Sequence, residues 1–405
     1  MHQSALDDIR VVEFTWVAAG PYSGGLLAML GADSIKIESR HRSDGARRRP
    51  ASGVEASADD LDSSLRFSAM NLNKRSVSLN LGTPKGRAVA KRLTAMADVV
   101  IENFRPGVAK RLGLGYEELS ADNPGLVMAS VSARGQSGPD TKLPGYAAIF
   151  AGVGGASHLT GYPGLRPADL RIPLDFATGT MAAMAVIAAL LERQDTGKGQ
   201  YIDLAASDVA TCVVGDSMLD YSLTGRVQTR RGNRHPFMAP HDCYPCQGHD
   251  KWISIAVSGE DEWRSLCRAM GNPAWTTDPN FRDAQARWLH HEQMDRHLSE
   301  WTRQRTATEA MELLQSHGVA AIPSFSLLEL TRNSHIQERQ VFLDVDHAVV
   351  GKHTVEGAPW KLSRTPPGVH SPGPLLGEHT RPVLQEWLGL GDEEIDALAA
   401  EGVLE

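Results

Sequence analysis

The sequence predicts an α/β fold: a large domain built on a parallel sheet, followed by a smaller α+β domain. Three observations carry this. Residues 9–38 read as strand, small-residue turn, helix and second strand, the βαβ unit of a parallel sheet. The same order returns over residues 71–101, and a further strand follows at Leu126–Ser132. Over residues 225–320 the texture changes to amphipathic helices rich in Trp, His and Arg. A chain of 405 residues also exceeds one ordinary core, so two domains or one large elaborated domain are expected.

The elements follow in order. After the apolar strand IRVVEF, the small residues Ala18, Ala19 and Gly20 let a ligand approach the backbone closely, although no G-x-G-x-x-G dinucleotide fingerprint is present. YSGGLLAML reads as a helix stopped at Gly31, and Ser34–Glu38 as the second strand. Residues 50–66 are polar and rich in Ala and Ser, the composition of a mobile surface loop. Ser76–Leu81 alternates as a strand, Thr83–Met96 is a helix with Pro84 in its first turn, and Val99–Ile101 is another apolar strand. Glu102–Gly107 therefore falls at the carboxyl end of a parallel strand, where open α/β sheets place their ligands. Tyr201–Leu204 reads as a strand, Ser207–Leu223 as one helix, Trp252–Val257 as a strand, and residues 383–400 as helix.

Residues 173–200, PLDFATGTMAAMAVIAALLERQDTGKGQ, hold the chain's most apolar helical pattern, closed by a Gly-rich stop. Apolar residues surround the run, which predicts a buried helix of about four turns rather than an amphipathic one. Asp175 is placed where this helix begins. Pattern alone favours an N-terminal cap, with a functional carboxylate as the alternative.

Composition sets further bounds. A net charge of −8 argues against nucleic-acid and anionic-membrane binding, so an anionic ligand needs a local basic cluster. Four cysteines are too few for a disulfide framework and point to a reducing cytoplasm. No signal peptide opens the chain, and the apolar run Met181–Leu191 is shorter than a membrane span. The one basic concentration is Arg40–Arg49, with five arginines, read either as a solvated loop or as a landing site for phosphates. Cys243-x-x-Cys246 lacks the second ligand pair of a zinc site, and its default reading is a buried reduced pair. No nucleophile elbow, P-loop or metal-spaced histidine pair occurs, so no metal is expected. Taken alone, the residues describe an α/β enzyme for an anionic cofactor, with Asp175 as its candidate acid.

Several segments together resemble one family, the class III CoA-transferases, which include formyl-CoA and carnitine CoA-transferases and relatives of α-methylacyl-CoA racemase. They are VVEFTWVAAGP with GADSIKIE, NLNKRSVSLNL, ADVVIENFRPG, RLGLGYEEL, NPGLVMASVSARGQSGP, PLDFATG, LLERQDTGKGQYIDL, PGPLLGEHTRPVL and EEIDALAAEGV, in the family's order over nearly the whole chain. The resemblance implies a Rossmann-like large domain built from both chain ends, a small domain from the middle, and two interlocked subunits. The implied division is residues 1–205 as the N-terminal part of the large domain, 206–224 as a linker helix, 225–325 as the small domain, 326–345 as a second linker, and 346–405 returning to the large domain.

The resemblance also implies an activity. CoA is moved from an acyl-CoA donor to a free carboxylic acid, with the CoA thioester as substrate and no permanently bound cofactor. Asp175 matches the family's nucleophile. Val17, Ala18, Lys74, Asn103, Phe104, Arg105 and Arg111 match its CoA contacts, and Arg40 and Tyr146 match more loosely. The small-domain stretch RGNRHPFMAPHDCYPC lacks the glycine run of formyl-CoA transferases, which points away from oxalate and formate and toward succinate-type or carnitine-type acids. Arg231, Arg234 and His235 are then candidates for a second carboxylate, with a structural role as the alternative. A racemase would carry a His-Asp pair where this chain has Pro144-Gly145-Tyr146-Ala147-Ala148, so transfer is the leading expectation. The further alternative is a CoA-binding subunit of a heteromer.

Overall fold

The computed structural model describes residues 4–48, 60–168 and 170–405. Arg49 of the arginine cluster, and most of the loop expected over 50–66, lie outside the described residues. The chain divides into two compact units. The first comprises residues 1–157, 169–226 and 336–405, and the second residues 158–168 and 227–335.

The first unit is built on six parallel strands: β1 (Arg10–Phe14), β2 (Asp33–Glu38), β3 (Arg75–Ser78), β4 (Val99–Glu102), β5 (Val127–Ser132) and β6 (Tyr201–Ala205). Their order is β3-β2-β1-β4-β5-β6, the strand order of a Rossmann sheet, which reverses direction between β1 and β4. The register pairs Glu13 with Lys36 on β2 and Phe14 with Glu102 on β4. The central strands are covered on both faces, so they read as near-continuous apolar runs, whereas the edge strand β6 leaves Tyr201 and Asp203 exposed.

Helices α1 (Ala19–Met29), α2 (Leu65–Met70) and α3 (Pro84–Ala95) follow β1, β2 and β3. The short α4 (Val108–Arg111) and α5 (Tyr116–Asp122) lie between β4 and β5, and α6 (Ala147–Val153), α7 (Ala156–Leu159) and α8 (Arg171–Thr196) between β5 and β6. On one sheet face Val12, Phe14, Val100 and Met128 pack with Val89 and Leu93 of α3. The C-terminal helices Thr380–Leu388 and Asp392–Ala400 close that core with Val383, Trp387 and Ile395. On the other face Val11, Ile101 and Val131 meet α1 and α8. A hairpin, β10 (Phe342–His347) and β11 (Gly351–Glu356), also belongs to this unit.

Four sequence expectations change here. The central helix has 26 residues and begins at Arg171, so Asp175 lies inside it and is not its cap. Pro173 did not block an earlier start, because the first N–H groups of a helix have no intrahelical acceptor. Nor is the helix buried all round. Ala182, Ala183, Val186 and Leu190 are buried, while Met184 and Leu191 are 57% and 59% exposed. Small residues line the packed face so that α1 can lie close. A Cβ on Gly179 would stand 2.7 Å from the Ala19 carbonyl oxygen. By length and composition, Pro173–Thr196 (24 residues, mean hydropathy 1.8) is apolar enough to cross a membrane, which the shorter run read from the sequence was not. In this fold it is a core helix, packed on α1 and the sheet. Finally, the helix expected over Ser207–Leu223 is two, α9 (Ala206–Val213) and α10 (Gly215–Thr224), broken where Val214 leaves helical geometry at φ −110°, ψ 22°.

The second unit holds an antiparallel sheet of β7 (His241–Pro245), β8 (Trp252–Ala256) and β9 (Ala320–Pro323). Tyr244, Ile253, Trp263, Leu266, Phe281 and Leu298 form its core. All four cysteines of the chain are free, and burial pushes the Cys246 thiol up to about 11. Among the described residues no cluster of His, Cys, Asp or Glu could hold a metal ion.

Candidate active site

The carboxyl ends of β1 and β4 form the point where the sheet order reverses, and the loops leaving them are locked together. The Trp16 N–H donates to the Asn103 side-chain oxygen at 2.7 Å, and the Asn103 amide donates back to the Trp16 carbonyl at 2.8 Å. Phe104 packs edge-on to Trp16, with ring centroids 6.2 Å apart. Its own N–H donates to the Glu102 carboxylate at 2.8 Å. Burial pushes the Glu102 carboxyl up to about 7, although the N–H of Phe104 and the hydroxyl of Ser130 oppose the shift. Val17, Ala18, Asn103, Phe104 and Arg105 therefore meet at one crevice, where Arg105 is exposed. Arg111 is exposed at the end of α4.

The remaining predicted contacts are placed differently. Arg40 follows β2, where its side chain is exposed and its N–H donates to the Glu405 carbonyl at 3.1 Å. Tyr146 precedes α6 and is 77% exposed. Lys74 sits at the amino end of β3, and only 2% of it is exposed. Its ammonium donates to Glu13 (2.8 Å), the Pro21 carbonyl (2.7 Å) and Asn71 (3.1 Å), which uses all three of its donors. Burial pushes it down to about 8 against the pull of Glu13. This is the geometry of a buried structural ion pair. Gly24 makes it possible, since a Cβ there would lie 2.0 Å from a Glu13 carboxylate oxygen.

The arginine cluster is likewise divided. Arg40, Arg42 and Arg48 are exposed, but Arg47 is buried. It forks onto both Glu38 oxygens at 2.8 and 2.9 Å, meets Asp62 at 2.8 Å, and lies 3.5 Å over the Phe67 ring. One of the five arginines is thus a core residue that pins the loop after β2, and the solvated-loop and phosphate readings apply only to its neighbours.

Asp175 lies in the second turn of α8, where the helix crosses α1. Phe176 stands edge-on to Tyr22 of α1 at 4.6 Å, and Leu174 packs with Ala147 and Phe150 of α6. The carboxylate is half-buried and makes no hydrogen bond among the described residues. Burial pushes it up from 3.8 to about 6, with Arg66 pulling the other way. Asp175 is not a cap: it is partly desolvated and fixed on a helix that packs against α1, the environment of a candidate reactive acid.

Sequence reasoning placed Glu102 at the strand end but missed its burial, and it missed Arg66 and the buried pair Lys36–Asp44. Arg66 lies outside every motif. Lys36 and Asp44 stand in stretches whose residue types read equally well as surface.

In the second unit, Arg231 bonds Gln228 and Arg234 lies 4.0 Å from Glu292. His235 accepts from the Met238 N–H at 3.3 Å, with its ring 5.2 Å from that of His241. Burial, reinforced by His241 and Arg231, lowers the His235 pKa.

Residues 6–380 match CoA-transferase family III. The chain belongs to that family. It is 34% identical over 400 residues to succinyl-CoA–D-citramalate CoA-transferase of Chloroflexus aurantiacus, covering 98% of each chain. To the succinyl-CoA–L-malate CoA-transferase beta subunit of the same organism it is 33% identical over 404 residues, again 98% of each. The crystal structure of a CAIB/BAIF family protein from Brucella suis superposes with a TM-score of 0.83 at 31% identity, over 95% of this chain and 100% of that one. The enzyme is a class III CoA-transferase, with CoA thioesters as its substrates.

Proposed function

We propose that this enzyme moves CoA from succinyl-CoA to a second carboxylic acid, in the manner of a dicarboxylate, through covalent intermediates on Asp175. The observation that carries the reading is the Asp175 carboxylate: unengaged, raised to about 6, and so mainly ionised at neutral pH. It attacks the donor thioester carbonyl and expels CoA thiolate, leaving a mixed anhydride. The thiolate attacks the aspartyl carbonyl, releases succinate and forms an aspartyl-CoA thioester. The acceptor carboxylate then repeats the exchange in reverse and regenerates Asp175. Exclusion of water matters, because hydrolysis of the anhydride would dissipate the donor.

Succinyl-CoA as donor and a four- or five-carbon diacid as acceptor follow the two Chloroflexus relatives. Large apolar side chains are exposed on the single chain along α8 to α10, including Met184, Leu191, Met218, Leu219 and Leu223. Such a surface fits the expected homodimer. A related partner subunit is the alternative, in line with the relative named as a beta subunit.

The test is a panel of free acids offered with succinyl-CoA. Expected are succinate and a new acyl-CoA, formed in equal amounts, together with hydroxylamine inactivation at Asp175 only after acyl-CoA has been added. Exchange of the α-proton of an acyl-CoA without any acceptor acid would instead establish the racemase. Arg111→Ala is expected to weaken CoA binding by about tenfold, read by calorimetry, through loss of a charge-assisted phosphate contact.

A further inference from the structure

The loop leaving β1 contains a backbone conformation that its sequence does not favour. Val17 has φ +72°, and the Ala18 N–H donates back to the Trp16 carbonyl at 3.1 Å. The result is a γ-turn with a left-handed central residue, which is rare in any protein and strained for a β-branched side chain. Such a turn persists only when its surroundings over-determine it.

The surroundings here are a fully buried ion pair. Lys36 on β2 and Asp44 in the following loop stand 3.0 Å apart, with no exposed side-chain surface. One Asp44 oxygen accepts from the Val17 N–H and from the Ala46 N–H, each at 2.8 Å. The Lys36 ammonium donates to the Thr15 carbonyl at 2.5 Å. The pair therefore grips the loop on both sides of Trp16, which Asn103 holds between them. Burial alone would raise the Asp44 pKa, but Lys36 and the two backbone N–H groups outweigh it and hold the carboxyl below its usual range.

We propose that Asp44 and Lys36 are positioning residues for transfer, holding the strained Val17 turn so that the Thr15–Ala18 backbone is aimed at the reacting thioester. The proposal rests on the reading of the β1–β4 crevice as the CoA site. Neither residue touches substrate, so their effect falls on alignment in the transition state and not on recognition of the nucleotide, which is the work of Asn103–Arg111. A misplacement of the loop by an ångström costs rate in the range of tenfold to a hundredfold.

Asp44→Asn is accordingly expected to lower kcat by about tenfold or more, while KM for acyl-CoA changes by less than about threefold. The deciding variant is the double one. Glycine adopts positive φ without steric cost, so Val17→Gly added to Asp44→Asn should recover at least about a third of the lost kcat. A merely structural Asp44 would show no such recovery, and its absence overturns the proposal. If Asp44→Asn does not fold, Val17→Gly and Val17→Ala decide instead. Both shorten the side chain, but only alanine retains the left-handed penalty, so the glycine variant should melt at the higher temperature. The reverse order overturns the strain argument. Calorimetry with CoA separates this test from the reading beneath it. If Arg111→Ala binds CoA as wild type does, the crevice reading fails; if it binds weakly and Val17→Gly still rescues nothing, only the positioning proposal fails.

Discussion

Asp175→Ala and Asp175→Asn are each expected to lose at least about a thousandfold in kcat, with the fold intact, because removing a covalent nucleophile removes the pathway and leaves only binding and alignment. The measurement is succinate release from succinyl-CoA in the presence of an acceptor acid. Retention of full transfer by either variant would falsify the covalent proposal. In the wild-type enzyme, nucleophilic attack requires the ionised carboxylate, and burial has raised its pKa to about 6. The pH profile of kcat/KM should therefore show an acidic limb near pH 6, below which the rate falls about tenfold per pH unit. Arg66→Gln removes the charge that opposes this shift and should move the limb to higher pH.

The same shift has a sign in stability. Between its usual 3.8 and about 6, the folded chain binds a proton at Asp175 that the unfolded chain does not. Stability from this group is therefore fully present below about pH 4 and falls as pH rises toward 6. Asp175→Asn carries no such dependence. It should melt with the wild type at pH 4 and above it at pH 7, read as the difference in Tm across a pH series.

Lys74→Ala is expected to destabilise the protein by about 3–5 kcal/mol, the range for removing one partner of a buried ion pair. Glu13 would remain fully buried, its two oxygens served among the described residues only by Thr15 (2.8 Å) and Ser34 (2.6 Å). Replacing both partners, as Glu13→Gln with Lys74→Met, should recover much of the loss, because no uncompensated charge then stays behind. Urea unfolding of the two variants measures this. A Lys74→Ala variant with wild-type stability and an acyl-CoA KM raised tenfold would show Lys74 to be a ligand contact after all.

The contrast between Lys74 and Asp175 shows where sequence reading ran out. Both were carried over from a family pattern. The pattern located each residue in the chain but contained nothing about burial. Lys74 has every donor occupied beneath α1, while the Asp175 carboxylate accepts no hydrogen bond among the described residues. The two sites differ because Gly24 lets α1 settle onto Glu13, whereas Gly179 brings α8 against α1 without supplying the carboxylate a donor. Arg47 teaches the same lesson. In sequence it is one arginine among five, yet in the fold it is sealed against Glu38, Asp62 and Phe67.

The sequence by itself determined the βαβ order, the strands from β1 to β6 with ends within three residues, and the placing of the Asn103–Arg105 turn at a strand's carboxyl end. Those features follow from local periodicity and from turn residues, which a linear pattern records. Only the tertiary structure decided that α8 begins upstream of Asp175, that Lys74 and Arg47 are interior, and that Lys36 and Asp44 reach across from β2 to hold Val17 in a turn it would not adopt alone. Each of these depends on desolvation and on partners distant in the chain. Both are properties of packed neighbours, and neither is written in the residue types nearby.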